Sequence, residues 1–149
     1  MSYDQGYWHT DSCSEKNIDE QYAGTHIAVY VKWCIEKGFL ANDILESDAD
    51  AITSVLDGRM TVSEYFEKYF DWKLGEWNLN EEGNAFTGCY YSHYLEEVSD
   101  EVPSAVLGPE SNVDFPKLYA MLDDRLRRFK ESGAQAFTKP KTKSWWKFW

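Results

Sequence analysis

THIAVYVKWCIEKG, from Thr25 to Gly38, is the stretch on which the fold turns. Ile27, Ala28, Val29, Tyr30, Val31, Trp33, Cys34 and Ile35 leave only Lys32, Glu36 and Lys37 polar. A helix apolar around almost its whole circumference must lie inside its domain, because no face of it gains from water. Gly38 suits the left-handed position just past such a helix. The segment is therefore expected to be the spine of a helical core.

Working outward, TVSEYFEKYF (Thr61 to Phe70) opens with a capping box, Thr61 as N-cap and Glu64 three residues on. Val62, Tyr65, Phe66, Tyr69 and Phe70 share one face, and Glu64 and Lys68 form an i,i+4 pair on the other. ANDILESDADAITSVLDG (Ala41 to Gly58) predicts a short helical turn and then a helix from about Asp48 to Leu56. Asp48 and Asp50 favour its positive N-terminus, and Gly58 closes it. NEEGNAFTGCYYSHYLEEV (Asn80 to Val98) turns helical from Glu81 or Asn84. Its polar stripe of Gly88, Ser92 and Glu96 is narrow, so it carries more apolar surface than one-sided packing requires. A last helix is expected from Phe115 to Ser132, with Asp114 as N-cap and Pro116 in its first turn. Leu118, Tyr119, Leu122, Leu126 and Phe129 form its buried stripe, and Gly133 stops it.

Pro103, Gly108 and Pro109 mark a loop. Residues 1–24 show no clear period and read as an extended or irregular arm, clipped to the body by Tyr3, Tyr7, Trp8 and Tyr22. No strand alternation or hairpin signal competes. The expected fold is all-α: a single-domain bundle of about five helices over residues 1–133, with a basic, Trp-rich tail over 134–149 that is expected to be flexible.

Charge is the strongest bulk signal. The 149 residues hold 15 basic and 26 acidic groups, a net charge of −11. The tail carries Lys139, Lys141, Lys143 and Lys147 and no acid, so residues 1–133 stand at −15. Such a body repels nucleic acid and is steered toward cationic partners. Acidity also keeps proteins soluble, and that alone accounts for much of it. The tail KPKTKSWWKFW could touch a membrane interface, but it is too short for stable insertion. The three cysteines are an odd number, and no signal peptide or ~20-residue apolar run is visible. A cytoplasmic protein with reduced thiols is expected.

Candidate chemistry is sparse. Cys89 and His93 lie one helical turn apart, and His9 and Cys13 repeat the spacing in reverse. Together they offer four zinc ligands, though without the tight knuckles of structural zinc sites. As a nucleophile pair, Cys89 and His93 suffer from Glu81, Glu82, Glu96 and Glu97 nearby, which disfavour a thiolate. No nucleotide-binding glycine loop, metalloprotease or serine-hydrolase motif occurs. The Asp48–Asp50 run lacks the other ligands of a calcium loop. No catalytic residue, metal or cofactor is expected, and the packed Cys and hydrogen-bonded His outweigh the zinc reading.

HIAVYVKWCIEKGFL, DGRMTVSEYFEKYFDWKL and LNEEGNAFTGCYYSHYLEEV together resemble a family of small acidic bacterial proteins, several of which are similar to immunity proteins of polymorphic or type VI secreted toxins. The likeness spans Thr25 to Val98, and its most specific part is Leu79 to Phe86 followed by Tyr90, Tyr91 and Tyr94. The WWKFW ending also recurs on unrelated proteins. The resemblance implies a cytoplasmic immunity protein, not an enzyme. It would neutralise a cognate toxin, foremost a DNase effector with a cationic substrate groove, without itself binding nucleic acid. The alternatives are a metal-binding or Cys/His-dependent enzyme and an acidic adaptor whose tail docks on a membrane or partner.

An inhibitor of a cationic groove needs acidic groups for steering and aromatic anchors for affinity. FDWKLGEWNLNEEG supplies both: Asp71, Glu76, Glu81 and Glu82 beside Trp72 and Trp77. Asp43, Glu46, Asp48 and Asp50 form a second acidic group, and Tyr91 is expected to contribute. The competing reading of each is a solvated acid or a core aromatic.

Overall fold

The computed structural model of the protein describes residues 1–137. It is predominantly α-helical, with seven α-helices and one small antiparallel pair of strands. The segment expected to be an irregular arm is built of regular pieces. Strand β1 (Ser2–Gln5) leads into a 3-10 turn (Gly6–His9), helix α1 (Thr10–Glu15) and a second 3-10 turn (Glu20–Gly24). Then come α2 (Thr25–Lys37), α3 (Asn42–Ser47), α4 (Ala49–Leu56) and α5 (Val62–Tyr69). Strand β2 (Lys73–Gly75) and a 3-10 turn (Glu76–Asn78) precede α6 (Glu81–Glu101), and α7 (Phe115–Ser132) closes the fold.

The sheet is the element that sequence reasoning did not foresee. β1 pairs antiparallel with β2, Asp4 opposite Leu74 and Gln5 opposite Lys73, with an irregularity between Ser2 and Asp4. Two strands this short carry no visible alternation. They form because β1 completes a sheet with a partner some seventy residues away and buries Asp4 beneath it.

α2 is the spine, as its sequence predicts. Ten of its thirteen residues are buried, and Gly38 caps it in the left-handed region at φ 73°. α5 and α6 pack against it. The excess apolar surface of α6 is explained by an aromatic ladder. Tyr30 meets Tyr91 at 5.1 Å and Tyr94 at 4.9 Å between ring centroids. Trp33 tilts on Phe86, which stacks on Tyr90.

Each buried tyrosine hydroxyl and the buried Trp33 indole N–H find a partner, as the cost of an unpaired buried group demands. Tyr30 Oη shares a hydrogen bond with Thr87 Oγ1, Tyr94 donates to the His26 carbonyl, and Trp33 Nε1 donates to Asp123. The core extends past Gly133. Residues Gly133–Phe137 form a further 3-10 turn, and the buried Phe137 packs on Phe86, Tyr90 and Phe129. The lysines and tryptophans of the expected tail lie outside the described residues.

Candidate functional site

The motif LNEEGNAF is resolved into structural parts. Leu79 is buried and forms an isolated bridge with Leu40. Asn80 is the N-cap of α6, accepting from Gly83 N at 2.8 Å while donating to the Gly38 carbonyl. A side chain on Gly83 would meet Phe39 Cβ and O at 2.8 Å, so only glycine permits this approach. Asn84 accepts from Tyr3 Oη and donates to the carbonyls of Glu76 and Leu79. Phe86 enters the ladder.

The same bridge has a consequence for charge. Residues 38–41 run beside residues 78–80 through Asn80 N to Phe39 O and Ala41 N to Asn78 O. α3 and α6 both start from this pairing. Asp43 stands in the first turn of α3, and Glu81 and Glu82 in the first turn of α6. The two acidic segments, far apart in sequence, therefore leave neighbouring backbone, each at a helix end that favours negative charge.

The expected contact residues separate into two groups. Asp43, Glu46, Asp50, Asp71, Glu76, Glu81 and Glu82 are exposed, and Trp77 is 50% exposed. Glu76 pairs with the terminal ammonium of Met1, and Asp71 with Lys73. Asp48 is half-buried, accepting from Tyr65 Oη at 2.9 Å. Trp72 is wedged between the backbones of Gly6 and Gly24, with the Tyr7 ring edge-on at 4.9 Å. Tyr91 is 8% exposed. Trp72 and Tyr91 thus differ from the surface placement expected of them: both are structural supports. Tyr7 and Trp8, which sequence reasoning treated only as clips, are the exposed aromatics on the neighbouring turn.

Beneath this surface lies a cluster that the sequence did not announce. Asp4 comes from β1, His9 from the first 3-10 turn, His26 from the first turn of α2 and Tyr91 from the middle of α6. Asp4 Oδ1 accepts from Gln5 N at 2.8 Å and His9 Nε2 at 2.6 Å. Asp4 Oδ2 accepts from His26 Nε2 at 3.1 Å and Tyr91 Oη at 2.8 Å. Four donors thus occupy the roughly four lone-pair sites of one carboxylate. Burial pushes the Asp4 carboxyl upward, but the hydrogen bonds and charge of the two histidines win and hold it well below the usual carboxylate range. Burial pushes the His26 imidazole down, against the pull of Asp4. Its Nδ1 is buried with no hydrogen-bond partner among the described residues.

The four zinc ligands weighed from sequence do not assemble. His9 turns to Asp4, Cys13 is buried in α1, Cys89 is half-buried, and His93 lies 6.3 Å from the Phe137 ring. Among the described residues, one group of three metal-binding side chains converges: Asp4, His9 and His26, with ligand atoms all within 4.8 Å of one another. A cleft of about 350 Å³ lies elsewhere, between Tyr22, Ser63, Trp72 and Glu110. Three glutamates line it: Glu110 accepts from Val62 N and Ser63 N at the start of α5, Glu64 pairs with Lys68, and Glu67 stands between them in sequence on the same helix as Glu64.

Fold and site together define a small helical domain with an acidic, aromatic surface around a buried carboxylate–imidazole cluster. The chain belongs to the family described as a domain of unknown function (DUF7832), which matches residues 2–112. That span includes the whole Asp4 cluster and both acidic segments, and stops before α7. No curated protein and no solved structure matches the chain. Among the described residues, no helix is long and apolar enough to cross a membrane.

Proposed function

We propose that this protein is a binding protein for a cationic protein partner, in the manner of an immunity protein that neutralises a secreted antibacterial toxin, foremost a nuclease. The observation that supports the reading most is the Leu40–Leu79 bridge, which sets the acidic starts of α3 and α6 side by side and leaves Trp77 half exposed next to them. A nuclease must hold polyphosphate and so presents a positive groove. Negative groups clustered on an inhibitor accelerate its encounter with that groove. Trp77 is suited to anchor the complex: its ring rests against Gly75, where a Cβ would fall 2.3 Å from the indole, so the side chain loses little freedom on binding. Tyr7 and Trp8 extend the aromatic surface.

The test is association with the co-expressed product of the neighbouring gene, followed by stopped-flow at several salt concentrations. Reversing Asp71, Glu76, Glu81 and Glu82 to lysine should slow association at least about tenfold at low salt and flatten its salt dependence. Trp77→Ala should instead accelerate dissociation. Association rate and salt slope that survive the fourfold reversal would place steering elsewhere on the molecule and remove this reading.

A further inference from the structure

We infer that Asp4, His9 and His26 constitute a site for a divalent transition-metal ion of the zinc class. The inference is independent of the partner-binding reading. Two imidazole nitrogens and one carboxylate oxygen are a donor set that suits zinc, cobalt and nickel rather than calcium or magnesium, which prefer oxygen throughout. Both histidines aim the same atom, Nε2, at the same carboxylate. Their rings stand almost perpendicular, at 84° and 4.6 Å between centroids, and the two nitrogens meet the carboxylate at its two oxygens, His9 at Oδ1 and His26 at Oδ2.

The distances are close to those of coordination. In a tetrahedral zinc centre with bonds of roughly 2.0–2.2 Å, ligand atoms stand roughly 3.3 Å from one another. Asp4 and His26 are already 3.1 Å apart, and Asp4 and His9 are 2.6 Å apart. These distances run to different oxygens of Asp4, Oδ2 for His26 and Oδ1 for His9, and one ligand atom from each of the three residues lies within 4.8 Å of the others, so coordination asks the Asp4–His9 pair to open by several tenths of an ångström and the three atoms to settle around one ion. His9 is the member able to move, because its side chain is 19% exposed while that of His26 is 1% exposed. The exposed edge of His9 also provides the access route and a solvent ligand.

The surroundings match what a metal ligand needs. Coordinating carboxylates are held by outer hydrogen bonds that fix their orientation. Asp4 has two such bonds from groups that are not ligands, the Gln5 N–H and the Tyr91 hydroxyl, and both persist when the imidazoles turn to an ion. Coordination at Nε2 moves each imidazole proton to Nδ1. For His26 that nitrogen has no partner among the described residues, so the shift breaks no bond there but leaves a buried N–H without the acceptor that usually supports a metal-bound imidazole, a cost the metal–ligand bonds must offset. Binding then exchanges two imidazole–carboxylate hydrogen bonds for three metal–ligand bonds. It places two positive charges beside one carboxylate in a body that carries a net −15.

The experiment uses the full chain, treated with chelator and labelled with ¹⁵N-histidine. One equivalent of zinc should shift the Nε2 resonances of His9 and His26 and leave those of His93 in place. Cobalt(II) should bind at the same stoichiometry with visible ligand-field absorption, and zinc should displace it. His9→Gln should weaken binding at least about tenfold, and Tyr91→Phe, which removes an outer-sphere support, about 10–100-fold. His93→Gln should change nothing. Zinc that leaves both Nε2 resonances unmoved, or that binds equally well to the folded His9→Gln variant, overturns the inference. Should that variant fail to fold, the resonances of the unaltered chain decide it.

Discussion

Trp72 occupies the space that a side chain on Gly6 would fill. A Cβ built on Gly6 would lie 2.3 Å from the indole ring, while the Gly6 amide donates to the Trp72 carbonyl at 2.9 Å. The contact fastens the N-terminal segment to the turn after α5, and Gly24 closes on the same ring from the start of α2. Trp72 holds this position with φ at 61°, a left-handed conformation that costs a bulky residue energy. The surrounding packing must offset that cost.

Gly6→Ala is therefore expected to destabilise the fold by about 1–3 kcal/mol, the usual cost of overpacking. Urea denaturation monitored by tryptophan fluorescence should show a lower midpoint and an unchanged slope. Gly88→Ala is the control, since the nearest atom to its added Cβ is Tyr3 Oη at 3.9 Å, an ordinary contact. In the middle of α6 that change should be neutral or stabilising by a few tenths of a kcal/mol. Equal losses for both glycines would mean that the Trp72 wedge is not tight.

Gly83 gives the corresponding prediction for the bridge beneath the acidic surface. Gly83→Ala forces the added methyl against the backbone carbonyl of Phe39, which cannot swing away as a side chain can. A loss of about 1–3 kcal/mol is expected. Asn80→Ala removes the N-cap and should cost about 1 kcal/mol. Thermal unfolding of both variants checks the order: Gly83→Ala should melt below Asn80→Ala.

These residues show what could be read from the chain alone and what could not. The periodicities of α2, α5 and α7 and the caps at Thr61 and Asp114 depend on neighbours within one helical turn, so the sequence displays them. The β1–β2 pairing joins Gln5 to Lys73, and the carboxylate cluster joins Asp4 to Tyr91 across 87 positions. Neither has a local period. Trp72 and Tyr91 are legible as large aromatics for either core or contact, but not as the wedge against Gly6 or the donor to Asp4, because hydrophobicity states that a ring is buried somewhere and not against what. The separation of Asp43 from Glu81 likewise hid their neighbouring origins, which only the Leu40–Leu79 bridge reveals. Spacing alone pairs His9 with Cys13. In the fold its turn faces β1, and Asp4 takes the ring instead.

Phe137 tests where the domain ends. Glycine at position 133 suggests a stop, yet the chain continues in a 3-10 turn and returns Phe137 to the ladder. Phe137→Ala should remove a ring that contacts Phe86, Tyr90 and Phe129, costing about 3–5 kcal/mol. Calorimetry should record the loss as a single transition at lower temperature. A change below about 0.5 kcal/mol would move the boundary back to Gly133.

The last prediction concerns acid. Asp124 accepts from Arg127 and from Arg125, each at 2.8 Å, and pairs with Arg128 at 3.0 Å. The Arg127 hydrogen bond, opposed by desolvation and aided by the hydrogen bond and charge of Arg125 and the charge of Arg128, holds its carboxyl below the ordinary value of 3.8. A carboxylate depressed by folding binds its proton more readily in the unfolded chain. Its stabilising contribution is complete above that ordinary value and fades as pH falls through the lower folded one. Arg125 is 10% exposed at its side chain and also pairs with Glu97 and Glu101, so losing one carboxylate does not strand it. Asp124→Asn should therefore lower the urea midpoint at neutral pH and flatten its decline below about pH 4. Parallel declines in the two proteins would show that the acid sensitivity of the fold comes from other carboxylates.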